Sequence, residues 1–532
     1  MFYSSVLNIG TKEQSDKWIP LIKSLRMTGC YAQTELGHGS YVQGIETTAT
    51  FDKEKQEFVI NSPTITSIKF WPGDMGKFSN HAIVFAKMLV DGKPMGVHAF
   101  MMQTRNLDTW EPMPGVEMGD IGPKFGYNTK DNGYMLFKNV RIPKSNLLSR
   151  YADIDKDGRI ELKGDMRALY GIMLETRVWI VGNASQSLAQ GLTIAARYAA
   201  VRRQFATVEG SRQERKLIDY QTHQFKLISL LAYTVTMNFS GRYLHKEHVA
   251  MLQDIANNEF GRLDIMHHLS AGWKAAFSRI AYDGIDALRQ ACGGAGFSAH
   301  SGLPSLQVDY APNTTYEGDN TVLYQQAARL IQKVWKKLYQ KENHESAKGF
   351  FSYLNNVDHL LTSKTEIKSV DDALCLGKLD KALAVRAAYK VKQAMLQVAQ
   401  KTQEGVSENE RVNSLLAVDL VSMAQSHMLY VAFQIIRSQL ADPQTIKCPK
   451  LVENLKDLAK VFAINELLNG ADTSAVYETG HFPMGTSQTL LDAQKRLMVK
   501  LRPQIIPLIE SWDFSDHTLV SAIGNSYGDI YE

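Results

Sequence analysis

The sequence predicts an α+β chain, mainly α, with a compact β-rich segment followed by two helical domains. Three observations carry this. Residues 29–143 alternate apolar and polar side chains between turn signals. After residue 150 the apolar spacing changes to that of helices. The charged residues are spread without blocks. In the β segment, "TATFDKEKQEFVINS" reads as two strands around a charged turn. "HAIVFAKMLVDGKPMGVHAFMM" pairs two β-rich runs across Asp91-Gly92, and "GYMLFKNVRIP" closes the series. Farther on, Ile180, Ala184, Leu188, Gly191, Ile194 and Tyr198 mark one face of a long helix whose small residues admit close neighbours. Helical patterns follow over about 215–290, 321–341, 378–402, 409–441 and 450–469. The stretch "KENHESAKGFFSYLNNVDH" breaks the pattern and predicts a linker between two helical domains.

The chain has 532 residues, of which 44% are hydrophobic and 21% charged, with a formal net charge of +4. That balance implies neither a nucleic-acid partner nor a membrane, and points to small molecules or other subunits. Cys30, Cys292, Cys375 and Cys448 stand without CxxC or zinc-ligand spacing, which reads as thiols in a reducing compartment with no metal site. The opening "MFYSSVLNIGTKEQSDKWIPLIKS" has no basic region leading into an apolar core of the secretory type. The closing "GNSYGDIYE" is not a Ser-Lys-Leu type of import tail.

Several stretches carry chemistry. In "TTYEGDNTVLYQQAARL", Asp319, Asn320 and Thr321 offer N-capping oxygens to a helix whose apolar face holds Val322, Leu323, Ala327, Leu330 and Ile331. Glu317 therefore falls in the lead-in, where a helix dipole favours a carboxylate and Gly318 lets the chain pass close to a ligand. An isolated glutamate there is most often a solvated turn residue. "GCYAQTELGHGS" crowds Gln33, Thr34 and glycines into one turn, which is either an ordinary hairpin or a cradle for a flat ligand edge. In "KFWPGDMGKF", Trp71 either stacks on a cofactor or fills the core, and by itself a tryptophan belongs to the core. "ARYAAVRRQF" puts Arg197, Arg202 and Arg203 with Gln204 at a helix end, suited to pyrophosphate or to the helix dipole alone. "QACGGAGFSAHSGLP" turns sharply after a helix, beyond what C-capping requires. No catalytic Ser/His/Asp set, Walker loop or dinucleotide-binding GxGxxG is placed where a strand enters a helix.

In this order, "YAQTELGHGS", "WPG", "RRQF", "ACGGAGFSAHSGLP" and "YEGDNTVL" make the chain resemble the peroxisomal acyl-CoA oxidases of the acyl-CoA dehydrogenase superfamily, over almost its whole length. The resemblance implies four parts: a remnant of an N-terminal helical domain at 1–26, a β domain at 27–150, a helical bundle at 160–345 and a C-terminal helical oxidase domain at 346–532. Most of the N-terminal domain is then expected to be missing. The resemblance also implies an FAD-dependent oxidase that turns acyl-CoA into trans-2-enoyl-CoA while molecular oxygen becomes hydrogen peroxide. It makes Glu317 the catalytic base. Tyr31, Gln33, Thr34, Ser40, Gly73, Arg203, Gln204, Gln224 and Asp319 become contacts to FAD, and Tyr170, Gly171, Arg177, Gly294 and Ala295 contacts to acyl-CoA. Arg203 and Gln204 match a stretch that reaches a partner subunit's FAD, so a homodimer or a heterodimer with another oxidase is implied. Peroxisomal residence is implied too, possible without an import tail by entry with a partner. An acyl-CoA dehydrogenase using an electron carrier, or a non-catalytic subunit of an oxidase dimer, is the alternative.

Overall fold

A computed structural model describes residues 1–163, 167–339 and 346–531, and the side chains of residues 167–170, 172 and 173 also lie outside what is described. The chain divides into two compact units. One comprises residues 1–176 and 252–260, the other 177–251 and 261–532.

The first unit is built on nine strands: β1 (Gly29–Ala32), β2 (Thr48–Asp52), β3 (Glu57–Asn61), β4 (Lys69–Gly73), β5 (His81–Val90), β6 (Lys93–Gln103), β7 (Val116–Asp120), β8 (Asn132–Phe137) and β9 (Val140–Pro143). The expected hairpins form: β2 pairs antiparallel with β3 and β5 with β6. Strand β5 organises the larger sheet, because its first residues pair in parallel with β1 and its later ones with β2. Its alternation is therefore doubly buried. Ala82, Val84, Ala86 and Met88 enter a core with Phe51, Phe58, Ile60, Phe100 and Phe137. Ile83 meets Phe2, Val6, Ile9 and Trp18 of the Phe2–Ile9 and Lys12–Lys23 helices on the other face. A second sheet runs in the order β4-β8-β7.

The pairing of β4 with β8 slips between Phe70 and Gly73, and Trp71 lies in that slip with φ +87°. A bulge re-aims a side chain, and Trp71 consequently stands 54% exposed while Pro72 is buried. The expectation that Trp71 fills the core is thus corrected. Hydrophobic content identifies a core candidate, but a register slip decides which face it occupies.

The second unit is helical. Its central member, Leu263–Ala291, is buried along most of its length. At Gly272 a Cβ would come within 2.6 Å of Met428 Sδ, so only glycine admits the Ala417–Ala441 helix this closely. Three expectations change here. The pattern over 215–290 is two helices, Gln221–Ala256 and Leu263–Ala291, separated at residues that carry "NNEFG". The pattern over 409–441 is interrupted by a π-helical turn, Arg411–Leu415. The linker is partly ordered as the 3₁₀ segment Gly349–Asn356 and the Val357–Thr362 helix, with Phe351, Leu354 and Val357 buried; its residues 340–345 lie outside the described residues. Short hairpins at Ala152–Ile154 with Ile160–Leu162, and at Arg203–Ala206 with Glu214–Lys216, lacked strand-length alternation and were not expected.

No single helix among the described residues is long and apolar enough to cross a membrane. Nor do the described residues hold a group of three or more His, Cys, Asp or Glu placed to bind a metal. Cys30 and Cys292 are buried, Cys375 and Cys448 exposed, and all four are free.

Candidate active site

The first unit brings "YAQT" and "WPG" together. After β1 the chain runs along the edge of β4: Phe70 N–H donates to the Thr34 carbonyl (3.0 Å) and Leu36 N–H to the Ile68 carbonyl (2.8 Å). Tyr31 rests on Phe85, and its hydroxyl donates to Gln33 Oε1 (2.7 Å). Thr34 keeps its hydroxyl and its own N–H without a partner among the described residues. At Gly73 the Lys130 side chain lies against the bare backbone, where a Cβ would meet its Cε at 2.5 Å and displace it. Ser40 is exposed in the glycine loop.

Beneath this edge lies a pair that the motif contains but that we did not single out from sequence. Lys69 Nζ, completely buried, donates to Glu35 Oε1 (3.0 Å), to the Gln33 carbonyl (3.1 Å) and to the Phe85 carbonyl (2.7 Å). Glu35 also accepts from Thr47 Oγ1 and from the Glu46 and Thr47 amides. Burial pulls Lys69 down to about 8 despite Glu35. Burial works to raise Glu35, but Lys69 and the donors outweigh it and hold the carboxyl below its ordinary value.

The second unit holds Glu317. The Asn320–Leu338 helix begins as expected, with the Asp319 carboxylate accepting from Thr321 N–H (2.9 Å) and Val322 N–H (3.3 Å). Asp319, assigned to FAD, is thus engaged as an N-cap, though it remains exposed. Just before it, Glu317 has φ +57° and Gly318 φ +110°. A left-handed glutamate is disfavoured by roughly 1–2 kcal/mol and needs surroundings that fix it. Two cations supply them. Arg177 Nε donates to the Glu317 carbonyl (3.0 Å), and Lys274 Nζ donates to the Gly318 carbonyl (2.6 Å) and to Asn320 Oδ1 (3.0 Å). Burial raises the Glu317 carboxyl above its ordinary value, while Arg177 and Lys274 oppose the rise. Burial lowers Lys274 to about 7. Sequence reasoning missed Lys274. Its signal was a lone charge inside the apolar run "LSAGWKAAF".

Arg177, assigned to acyl-CoA, is therefore part of the clamp on Glu317. Gly171 is buried, Gly294 exposed and Ala295 half-buried at the Gly293–Phe297 turn, and the side chain of Tyr170 lies outside the described residues. Arg203 and Gln204 sit on the fully exposed Arg203–Ala206 strand beside Phe205, with Arg203 Nη1 donating to the Glu214 carbonyl (2.7 Å). The helix ends one turn earlier than the basic run suggested, at Val201. Arg197 serves neither dipole nor phosphate: it forks onto Glu510 (2.8 and 2.7 Å) and reaches Asp516 (2.9 Å) and the Gly524 carbonyl (2.9 Å). Gln224 is buried, its Nε2 donating to the Ile218 carbonyl (3.2 Å).

Comparison with known proteins identifies the family. Residues 170–332 match the family model "Acyl-CoA oxidase, C-alpha1 domain", and residues 375–532 match the model "Acyl-CoA oxidase". Rat peroxisomal acyl-coenzyme A oxidase 1 is 38% identical over 538 residues, spanning 100% of this chain and 79% of the rat chain. Arabidopsis thaliana acyl-CoA oxidase 1 superposes with a TM-score of 0.94 at 34% identity, over 100% of this chain and 79% of that one. Acyl-CoA oxidase-1 of Caenorhabditis elegans, solved complexed with FAD and ATP, gives 0.92 at 30% identity, over 100% of this chain and 78% of that one. With an expected fold confirmed and similarity running along its full length, the chain belongs to the acyl-CoA oxidase family, a family of oxidoreductases.

Proposed function

We propose that this chain is an FAD-dependent acyl-CoA oxidase in which Glu317 removes the α-proton of the acyl thioester, giving the trans-2-enoyl-CoA. The observation that carries the proposal is the clamp on Glu317: a carboxylate in a disfavoured backbone conformation, pinned through its own and the next carbonyl. An α-hydrogen of a thioester is a weak acid. Its removal needs a base held in place, with a pKa moved up from the ordinary carboxylate range toward working pH, and burial moves Glu317 in that direction.

The residues at the β1–β4 edge fit FAD. Trp71 offers an exposed aromatic face, Thr34 an unpaired hydroxyl and N–H, and Gly73 a bare backbone. The nematode relative solved with FAD supports the same cofactor here. FAD held there would supply the acceptor for the β-hydride and the route by which two electrons reach oxygen, giving hydrogen peroxide. Gln33 and Thr34 would hold the ring edge and Trp71 would cover it, while Arg203 and Gln204 on their exposed strand would reach the FAD of a partner subunit in a homodimer or heterodimer. Gly294, Ala295 and Arg177 are the residues we assign to acyl-CoA. Peroxisomal residence follows the named relatives.

The test is Glu317→Gln, which keeps shape and removes the basic lone pair. Anaerobic reduction of the flavin by acyl-CoA is expected to slow by about 10²–10⁴-fold with FAD content unchanged. Reduction at the parental rate would refute the assignment. Peroxide formation in air separates an oxidase from a dehydrogenase, and a pure protein without flavin absorbance would favour a non-catalytic subunit.

A further inference from the structure

Lys274 is completely buried in the middle of the Leu263–Ala291 helix. Among the described residues no carboxylate lies within ion-pair distance of its ammonium, which rests on two neutral acceptors, the Gly318 carbonyl and Asn320 Oδ1. Asn320 is held in turn by Ser278, whose Oγ accepts from Asn320 Nδ2 (3.0 Å). A buried charge without a counter-ion is costly, and packing does not require one, since a methionine fills similar volume. One of its hydrogen bonds falls on the Gly318 carbonyl and the other on the Asn320 side chain, while Arg177 holds the carbonyl of Glu317 itself. With both carbonyls fixed, the left-handed conformation at Glu317 and Gly318 is over-determined.

We propose that Lys274 is a positioning residue for proton abstraction: it fixes the aim of Glu317 through the Gly318 carbonyl and Asn320, and its charge favours the ionised carboxylate. This rests on Glu317 being the base. Within this unit the charged groups acting on Glu317 are Arg177 and Lys274, and those acting on Lys274 are Arg177, Asp319 and Glu317. Arg177 remains in every variant below, so changes report Lys274.

The experiment uses the FAD-loaded protein and follows anaerobic flavin reduction by acyl-CoA against pH, with acyl-CoA affinity measured separately. Lys274→Met is expected to cut the limiting reduction rate at least tenfold, leave acyl-CoA affinity within about twofold, and move the acid limb of the profile to higher pH because a cation beside the base is gone. Ser278→Ala loosens Asn320 while leaving the charge in place, so it should lower the rate a few-fold with the acid limb unmoved. A packing role alone would reduce FAD content or the melting temperature without shifting the limb, and that result overturns the proposal. Should Lys274→Met fail to load FAD, Asn320→Ala removes one of the two acceptors; a parental rate in that variant overturns the proposal as well. Glu317→Gln run in parallel separates the two assignments. If it loses reduction while Lys274→Met keeps the parental rate and limb, only the role of Lys274 falls. If Glu317→Gln keeps the parental rate, the base assignment falls and takes this one with it.

Discussion

Lys69 and Lys274 are both completely buried, yet they occupy opposite electrostatic settings. Lys69 faces a carboxylate that is itself saturated with donors, and the pair ties the end of β1 to β4 and β5. Lys274 faces only a carbonyl and an amide oxygen. Arg386, equally buried, follows the first pattern, paired with Glu466 at 3.0 Å. The difference teaches where each cation's cost is offset. For Lys69 it is offset locally by a counter-charge. For Lys274 it is offset partly by the turn it organises, and the remainder is a stability cost that the site carries.

The sharpest way to break the comparison is Lys69→Met, which leaves Glu35 buried without its counter-ion. Equilibrium urea unfolding should show a loss of about 3–5 kcal/mol, whereas Lys69→Met combined with Glu35→Gln should recover most of it. If the double variant is no more stable than the single one, the pair is not the unit that matters.

A smaller effect is expected at the other lysine. Lys274→Met removes an unpaired charge but strands the Gly318 carbonyl and Asn320, for a net loss within about 1–3 kcal/mol. Its pH dependence carries the sign. Burial lowers the folded Lys274 from its ordinary 10.5 to about 7, so between those values the unfolded chain binds more protons and the parent gains stability as pH rises. The gap between parent and Lys274→Met should therefore widen from pH 7 to pH 9. A gap independent of pH would place the ammonium in a solvated setting.

The smallest stability change should come from Trp71→Ala. The residue is 54% exposed, so unfolding free energy should move by no more than about 1 kcal/mol. FAD binding, followed by flavin fluorescence, should nonetheless weaken about tenfold. A large loss of stability would mean that the ring packs into the fold after all.

Much of this was legible in the sequence. Periodicity located β2 with β3, β5 with β6, and the Arg167–Val201 and Asn320–Leu338 helices, because side-chain spacing follows backbone geometry directly. The capping residues Asp319 and Asn320 are enough to place Glu317 outside its helix. The strings "YAQT", "WPG" and "YEGDN" pointed to the family, and within the first unit "YAQT" and "WPG" do meet at one edge.

What the sequence could not decide depends on partners remote in the chain. Whether Trp71 faces core or solvent is set by one slip in β4–β8 pairing, an event invisible to local alternation. Arg197 looked like a phosphate ligand until Glu510, Asp516 and Gly524, some three hundred residues on, claimed its guanidinium. Glu317 alone is a turn glutamate. Its left-handed conformation is fixed by Arg177 and Lys274, which lie 140 and 43 positions before it and reach its loop only once the helices pack, and its carboxyl is raised by the burial that the same packing brings, against the pull of those two cations. Local spacing determined the elements, because each residue's backbone preference acts on its neighbours. The charge environment of the candidate base was decided by tertiary contact, because desolvation and hydrogen bonding exist only after distant segments have excluded water together.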